Sequence, residues 1–170
     1  MRVKSNIVLI GMPGCGKSTA GILLAKALGK DFLDTDVVMQ AREGRFLQQI
    51  LDEEGIDAFL ERECRAVCSV QTQNTVIATG GSVVYGARAM EHLRENGRIV
   101  YIRLPYEEVV RRIHNLSSRG VALRPGETLA DEYARRCPLY ERYADLTLDG
   151  AGSTLEESVD RLRRMIEDMQ

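Results

Sequence analysis

The chain has 170 residues, of which 44% are hydrophobic and 28% charged, and its formal net charge is −2. That length suits one domain with its own core, and the near-neutral balance offers no attraction to nucleic acid or an anionic membrane. Tryptophan is absent and aromatics are 5%, too few for a base-stacking platform. No apolar run approaches the roughly 20 residues of a membrane helix, and the N-terminus carries no cleavage-site pattern. Neither a nucleic-acid nor a membrane partner is therefore expected.

The elements alternate. Strands are expected at about Asn6–Ile10, Phe32–Asp34, Thr75–Thr79, Arg98–Arg103 and Leu146–Asp149, short apolar runs bounded by Gly, Pro or Asp. Between them lie helical patterns. In "IDAFLERECRAVCSV" the residues Ile56, Phe59, Leu60, Cys64, Val67 and Cys68 form an apolar stripe. "ARAMEHLRENG" ends on Gly97, placed as a helix C-terminal glycine. The last helix opens with Ser153 and Glu156 at capping-box spacing. Such alternation implies an α/β layer fold with right-handed crossovers. The aperiodic stretch Asn115–Glu127, rich in Ser, Gly, Arg and Pro, reads as a mobile lid.

Of the four cysteines, Cys15, Cys64, Cys68 and Cys137, only Cys64 and Cys68 have a spacing that shares a helix face, and no second pair completes a zinc site. Reduced thiols in a cytoplasmic protein are expected. Cys15 stands apart because it lies in a glycine loop.

That loop, "GMPGCGKS" from Gly11 to Ser18, matches G-x-x-x-x-G-K-[ST] at each fixed position, after a strand and before a helix-forming run. Backbone N–H groups converge on a polyphosphate only where side chains do not intrude, which is the use of Gly11, Gly14 and Gly16. The loop, with Cys15 and Thr19, leads into a helix N-terminus whose dipole favours anions. Lys17 supplies a cation for the β- and γ-phosphates, and the Ser18 hydroxyl is a Mg²⁺ ligand. This predicts binding of a nucleoside triphosphate with Mg²⁺.

Further signals point to phosphoryl transfer. In "FLDTDVV", Asp34 and Asp36 lie two apart on an extended segment and so face one side. One suits the metal and the other an acceptor hydroxyl; the alternative is a solvated strand end with Asp36 as helix N-cap. Gly80 and Gly81 at the end of the third strand let a ligand approach the backbone, or form a plain tight turn. Arg135 and Arg136 in "RRCPLYERYAD" are a solvated face or a carboxylate grip. Arg111 and Arg112 have Glu107 and Glu108 four residues before them. No N-K-x-D guanine-reading tetrapeptide occurs, which argues against a GTPase.

With the loop, "DTD", the strand-end "GG" and "RRCPLY" in this order, the chain resembles the shikimate kinase family over essentially its whole length. The resemblance implies a three-layer P-loop kinase fold, a five-stranded parallel sheet with helices on both faces, and one domain spanning 1–170. Within it the acceptor region would be about 34–62 and the lid about 115–127. It implies ATP and Mg²⁺, transfer to the 3-hydroxyl of shikimate, and a monomer with a small-molecule acceptor. By position, Lys17 and Ser18 match the phosphate and Mg²⁺ residues, Asp34 the metal-side acid, and Asp36 the acid that binds shikimate hydroxyls. Gly80 and Gly81 match glycines beside shikimate, Arg136 a carboxylate-binding arginine, and Arg112 an arginine packed on adenine. The lid arginine is Arg124, which keeps the family's following proline, or Arg119, which better keeps the distance to Arg136.

The chain also departs from the pattern. In "GIDAFLERE", Gly55, Phe59 and Glu63 match the family, but its second carboxylate-binding arginine falls on Leu60 and its glutamate on Ile56. Ser82 stands where a third glycine is usual. Two rival expectations follow: the same chemistry on another hydroxylated acceptor, or a nucleotide-binding regulatory domain without turnover.

Overall fold

The computed structural model describes residues 4–114 and 121–169. Among these, five parallel strands form one sheet in the order β2-β3-β1-β4-β5. They are β1 (Asn6–Ile10), β2 (Asp31–Asp34), β3 (Thr75–Ala78), β4 (Gly97–Arg103) and β5 (Leu146–Asp149). The expected strands hold to within a residue. β1 is central, with Val8 opposite Ile77 on one side and Ile99 on the other. All five of its residues are buried, which is why "NIVLI" is a continuous apolar run and not an alternating one.

Among the described residues seven α-helices accompany these strands: α1 (Lys17–Leu28), α2 (Thr35–Glu43), α3 (Leu47–Cys68), α4 (Ala87–Asn96), α5 (Tyr106–His114), α6 (Leu129–Tyr143) and α7 (Leu155–Glu167). The main core joins β1, β3 and β4 to α1, α4, α6 and α7, through residues such as Leu9, Leu24, Met90, Tyr140 and Leu162. A second, smaller cluster forms from Met39, Ile50, Phe59, Ala66 and Ala122, with Leu47, Leu51, Ile56 and Leu60 packed on it. It fastens α2 and α3 to each other away from the sheet. An ionic web on the same pair ties Arg45 to Glu53 and Glu54, and Arg62 to Glu54 and Glu43.

Gly97 stands just past the end of α4, as expected, and with an extended backbone (φ −120°, ψ 146°) it also opens β4. A glycine is needed there for closeness, since a Cβ would lie 2.5 Å from Leu93 O and 2.7 Å from Val8 Cγ2. The last helix is capped one residue later than expected, by Thr154, which accepts from Glu157 N–H while the Glu157 carboxylate accepts from Thr154 N–H. And α3 is two helices joined at Gly55, whose φ of 81° and ψ of 177° suit only glycine.

Candidate functional site

Parallel strands deliver their C-terminal ends to one edge, where connections to the next helices leave a crevice. Here that edge opens into a cavity of about 980 Å³. It is lined by the glycine loop, the start of α2, the turn into α3, and the segment after β3.

The loop is held by its own backbone. Gly11, Gly14 and Gly16 have φ of 150°, 75° and 92°, and Cys15 N–H donates to Met12 O at 3.2 Å. Gly16 is the N-cap of α1 without a side-chain cap, so the first N–H groups of the helix stay available to an anion. Lys17 curls over the loop: Nζ donates to Gly11 O at 2.8 Å and Met12 O at 2.9 Å, and lies 3.6 Å from Cys15 Sγ. The Cys15 side chain is buried and does not line the main cavity. All four cysteines are free thiols.

Ser18 and Asp34 meet at the loop. Ser18 Oγ donates to Asp34 Oδ2 at 2.6 Å, and Asp34 Oδ1 accepts from Asp36 N–H at 2.9 Å. Two hard oxygen donors side by side at the loop suit Mg²⁺, which keeps water and substrate phosphate oxygens in the rest of its shell. No all-protein cage competes with that arrangement, because no group of three or more His, Cys, Asp or Glu among the described residues could hold a metal.

The two aspartates do not share an extended segment. Asp34 closes β2 and is the N-cap of α2, so Asp36 lies in the first helical turn and is not itself the cap. A helical turn, not strand alternation, relates them, and both residues line the cavity. Gly80 makes room for the second of them: a Cβ there would come within 2.9 Å of Asp36 Oδ1 and would collide with Glu63 Oε1. At Gly81 a Cβ would stand 2.7 Å from Pro13 Cδ and 3.0 Å from Arg136 Nη1. Close approach, not turn geometry, is what these two glycines serve.

Arg136 is aimed inward and is 1% exposed. Its Nε donates to Glu132 Oε2 at 2.6 Å and its Nη2 to Ala122 O at 2.9 Å, while its guanidinium carbon stacks 5.4 Å from the Tyr85 ring centroid. Glu132, fully buried, also accepts from Tyr85 Oη at 2.8 Å. Arg135 turns away to Glu127 and Glu132. Arg112 bonds Glu108 at 2.7 Å and reaches Cys15 O at 3.4 Å, which places it over the loop. Arg111 pairs with the same Glu108, so Glu107 is not the partner of either.

The lid arginines fare differently. Arg124 pairs with the exposed Asp57 at 3.4 Å and does not line the cavity. Arg119 lies outside the described residues. Leu60 and Ile56 also stay off the cavity wall, in the second apolar cluster, and Arg62 is spent on Glu43 and Glu54.

Sequence reasoning gave no site role to Glu63. It is 4% exposed, lines the cavity one helical turn after Phe59, and accepts from Ser82 Oγ on Oε2 at 2.7 Å. Burial pushes its carboxyl up to about 7; Asp36 adds to the rise, while Ser82, Arg136 and Lys17 oppose it. Its signal was present, as an acid inside an otherwise apolar helical stripe. Ser82, the departure from a third glycine, is its hydrogen-bond donor. Glu132, four residues before Arg136, was likewise readable as that arginine's partner.

Known proteins match this chain in both sequence and fold. The sequence profile of the family described as shikimate kinase matches residues 13–167. A shikimate kinase of Thiobacillus denitrificans is 36% identical over 170 residues, covering 98% of this chain and 90% of that protein. One of Haemophilus influenzae is 35% identical over 173 residues, covering 99% and 96%. Among solved structures, the shikimate kinase of Acinetobacter baumannii in complex with shikimate superposes with a TM-score of 0.88 at 29% identity, over 98% of this chain and 94% of that one. The Aquifex aeolicus enzyme gives 0.82 at 30% identity, over 96% and 97%. A family profile matched over residues 13–167 and relatives matched over nearly the whole chain, around a cavity with a glycine loop, an acidic pair and a buried arginine, make this protein a member of the shikimate kinase family.

Proposed function

We propose that the protein transfers the γ-phosphoryl group of ATP to the 3-hydroxyl of shikimate. The observation that carries this reading is one cavity holding the anion-binding loop at one side and the Asp36, Gly80, Gly81 and Arg136 group at the other. The loop N–H groups and Lys17 bind the β- and γ-phosphates, Lys17 exchanging its two carbonyl contacts for phosphate oxygens. Arg112 packs on the adenine. Ser18 and Asp34 would hold Mg²⁺, which would supply charge neutralisation for the phosphates. Asp36 accepts the hydroxyl hydrogen bond and orients the attacking oxygen; as the O–P bond forms and the bond to ADP breaks, the hydroxyl proton passes to Asp36. Arg136 binds the acceptor's carboxylate through the guanidinium edge facing Gly81. Arg119 or Arg124 supplies a further cation for the transferring phosphoryl.

The test is ADP release coupled to a spectroscopic readout, with ATP, Mg²⁺ and shikimate. Turnover of roughly 1–100 s⁻¹ is expected, as for kinases in general. Folded protein that releases ADP no faster with shikimate than without it overturns the reading. The apolar seat of Leu60 favours one rival, the same chemistry on an acceptor with fewer charges; a panel of polyols and hydroxy acids in that assay separates the two.

A further inference from the structure

We propose that Glu63 is the second anchor of the acceptor's carboxylate, acting as a neutral carboxyl that donates a hydrogen bond where a cation is missing. The inference rests on the reading that the acceptor carries a carboxylate. Among the described residues, the acceptor side of the cavity has one guanidinium, Arg136, and its charge is already shared with the buried Glu132. Leu60 lies in the apolar cluster and Arg62 in a surface web, so α3 offers no cation. What α3 offers is Glu63.

Its two oxygens differ. Oε2 accepts from Ser82 Oγ at 2.7 Å, while Oε1 is buried with no hydrogen-bond partner. Oε1 rests against Gly80, and Arg136 Nη1 faces the neighbouring Gly81, so a single carboxylate set on the two glycines reaches both. The last torsion of a glutamate is soft and roughly two-fold, so turning the carboxyl about that bond swings Oε1 toward the cavity. The groups facing Glu63 are Asp36 from α2, Lys17 from α1, Arg136 with its partner Glu132 from α6, and Ser82 after β3. An ionised Glu63 would add a third negative charge beside Asp36 and an incoming carboxylate. A buried acid in that setting is stabilised in its neutral form, and burial, opposed by Ser82, Arg136 and Lys17, pushes this one up to about 7.

Acceptor binding then takes up a proton from solvent when the pH exceeds that value. The experiment measures KM for shikimate from pH 6 to 8.5 at saturating ATP. KM is expected to rise about tenfold per pH unit above 7, with kcat following a different course. The methyl ester of shikimate, which lacks the charge, shows no such rise and controls for titration of ATP itself. Glu63→Gln keeps a neutral donor and gives a flat KM profile. Calorimetry of the wild-type protein with shikimate in buffers of different ionisation enthalpy reports the proton directly, and does not depend on the variant folding. A wild-type KM constant across this range, absence of proton uptake at pH 8, or a Glu63→Gln profile as steep as wild type overturns the proposal. If shikimate gives no turnover at any pH, the functional reading fails instead.

Discussion

Lys17 Nζ is held by two loop carbonyls at 2.8 and 2.9 Å, so its charge stays over the loop. Lys17→Met removes that charge without emptying the space, and kcat is expected to fall by about 10²–10³, the usual cost of one preorganised charge-stabilising donor. Circular dichroism should be unchanged. Asp36→Asn keeps the shape of the acid and loses proton acceptance; the expected fall in kcat is about 10²–10⁴ with a smaller change in the KM for ATP. An Asp36→Asn enzyme as fast as wild type would remove this residue from the mechanism. At this scale the sequence was most legible where a residue type has one dominant use, as in the glycine loop. It was least legible at Glu63, because an acid on a helix reads as a solvated one until the neighbours that bury it are known.

At the scale of elements, caps and breaks matter more than propensity. Thr154 and Glu157 exchange hydrogen bonds at the start of α7, outside the main cavity, and Thr154 borders a small cleft with Gly16 and Arg112. Thr154→Ala should cost about 1 kcal/mol and lower Tm by about 2–4 °C for a chain of this size; thermal denaturation followed by circular dichroism checks it. Ser153 with Glu156 has the same spacing in the sequence, and it is the path of the chain out of β5 that puts Thr154 at the cap instead. Asp34 and Asp36 teach the same lesson in reverse. Their facing depended on where β2 stopped, and because α2 begins at Thr35, a helical turn and not a strand's alternation brings them to one cavity.

The whole molecule couples the cavity to stability. Mg²⁺·ATP at about 100 times its Kd should add about 2.7 kcal/mol, or roughly 5–11 °C in Tm; a Tm that does not move on adding both would oppose nucleotide binding altogether. Glu63 gives the unliganded fold a pH dependence. Its carboxyl is raised from an unfolded value near 4.5 to about 7, so the folded state holds the proton more tightly. The contribution is complete below about 4.5 and is lost as the pH rises through 7, a change on the order of 3 kcal/mol. Urea midpoints should therefore decline between pH 5 and 8 more steeply in the wild type than in Glu63→Gln.

Local chemistry in the sequence by itself determined the loop, the strands and the layer class, because each depends on neighbours within a few positions along the chain. Tertiary structure alone decided that Leu60 and Ile56 belong to a second core, that Arg62 and Arg124 are paired at the surface, and that Glu63 is buried beside Gly80. Those outcomes turn on burial and on partners that come from other elements, so the spacing of residues in the chain does not encode them one by one.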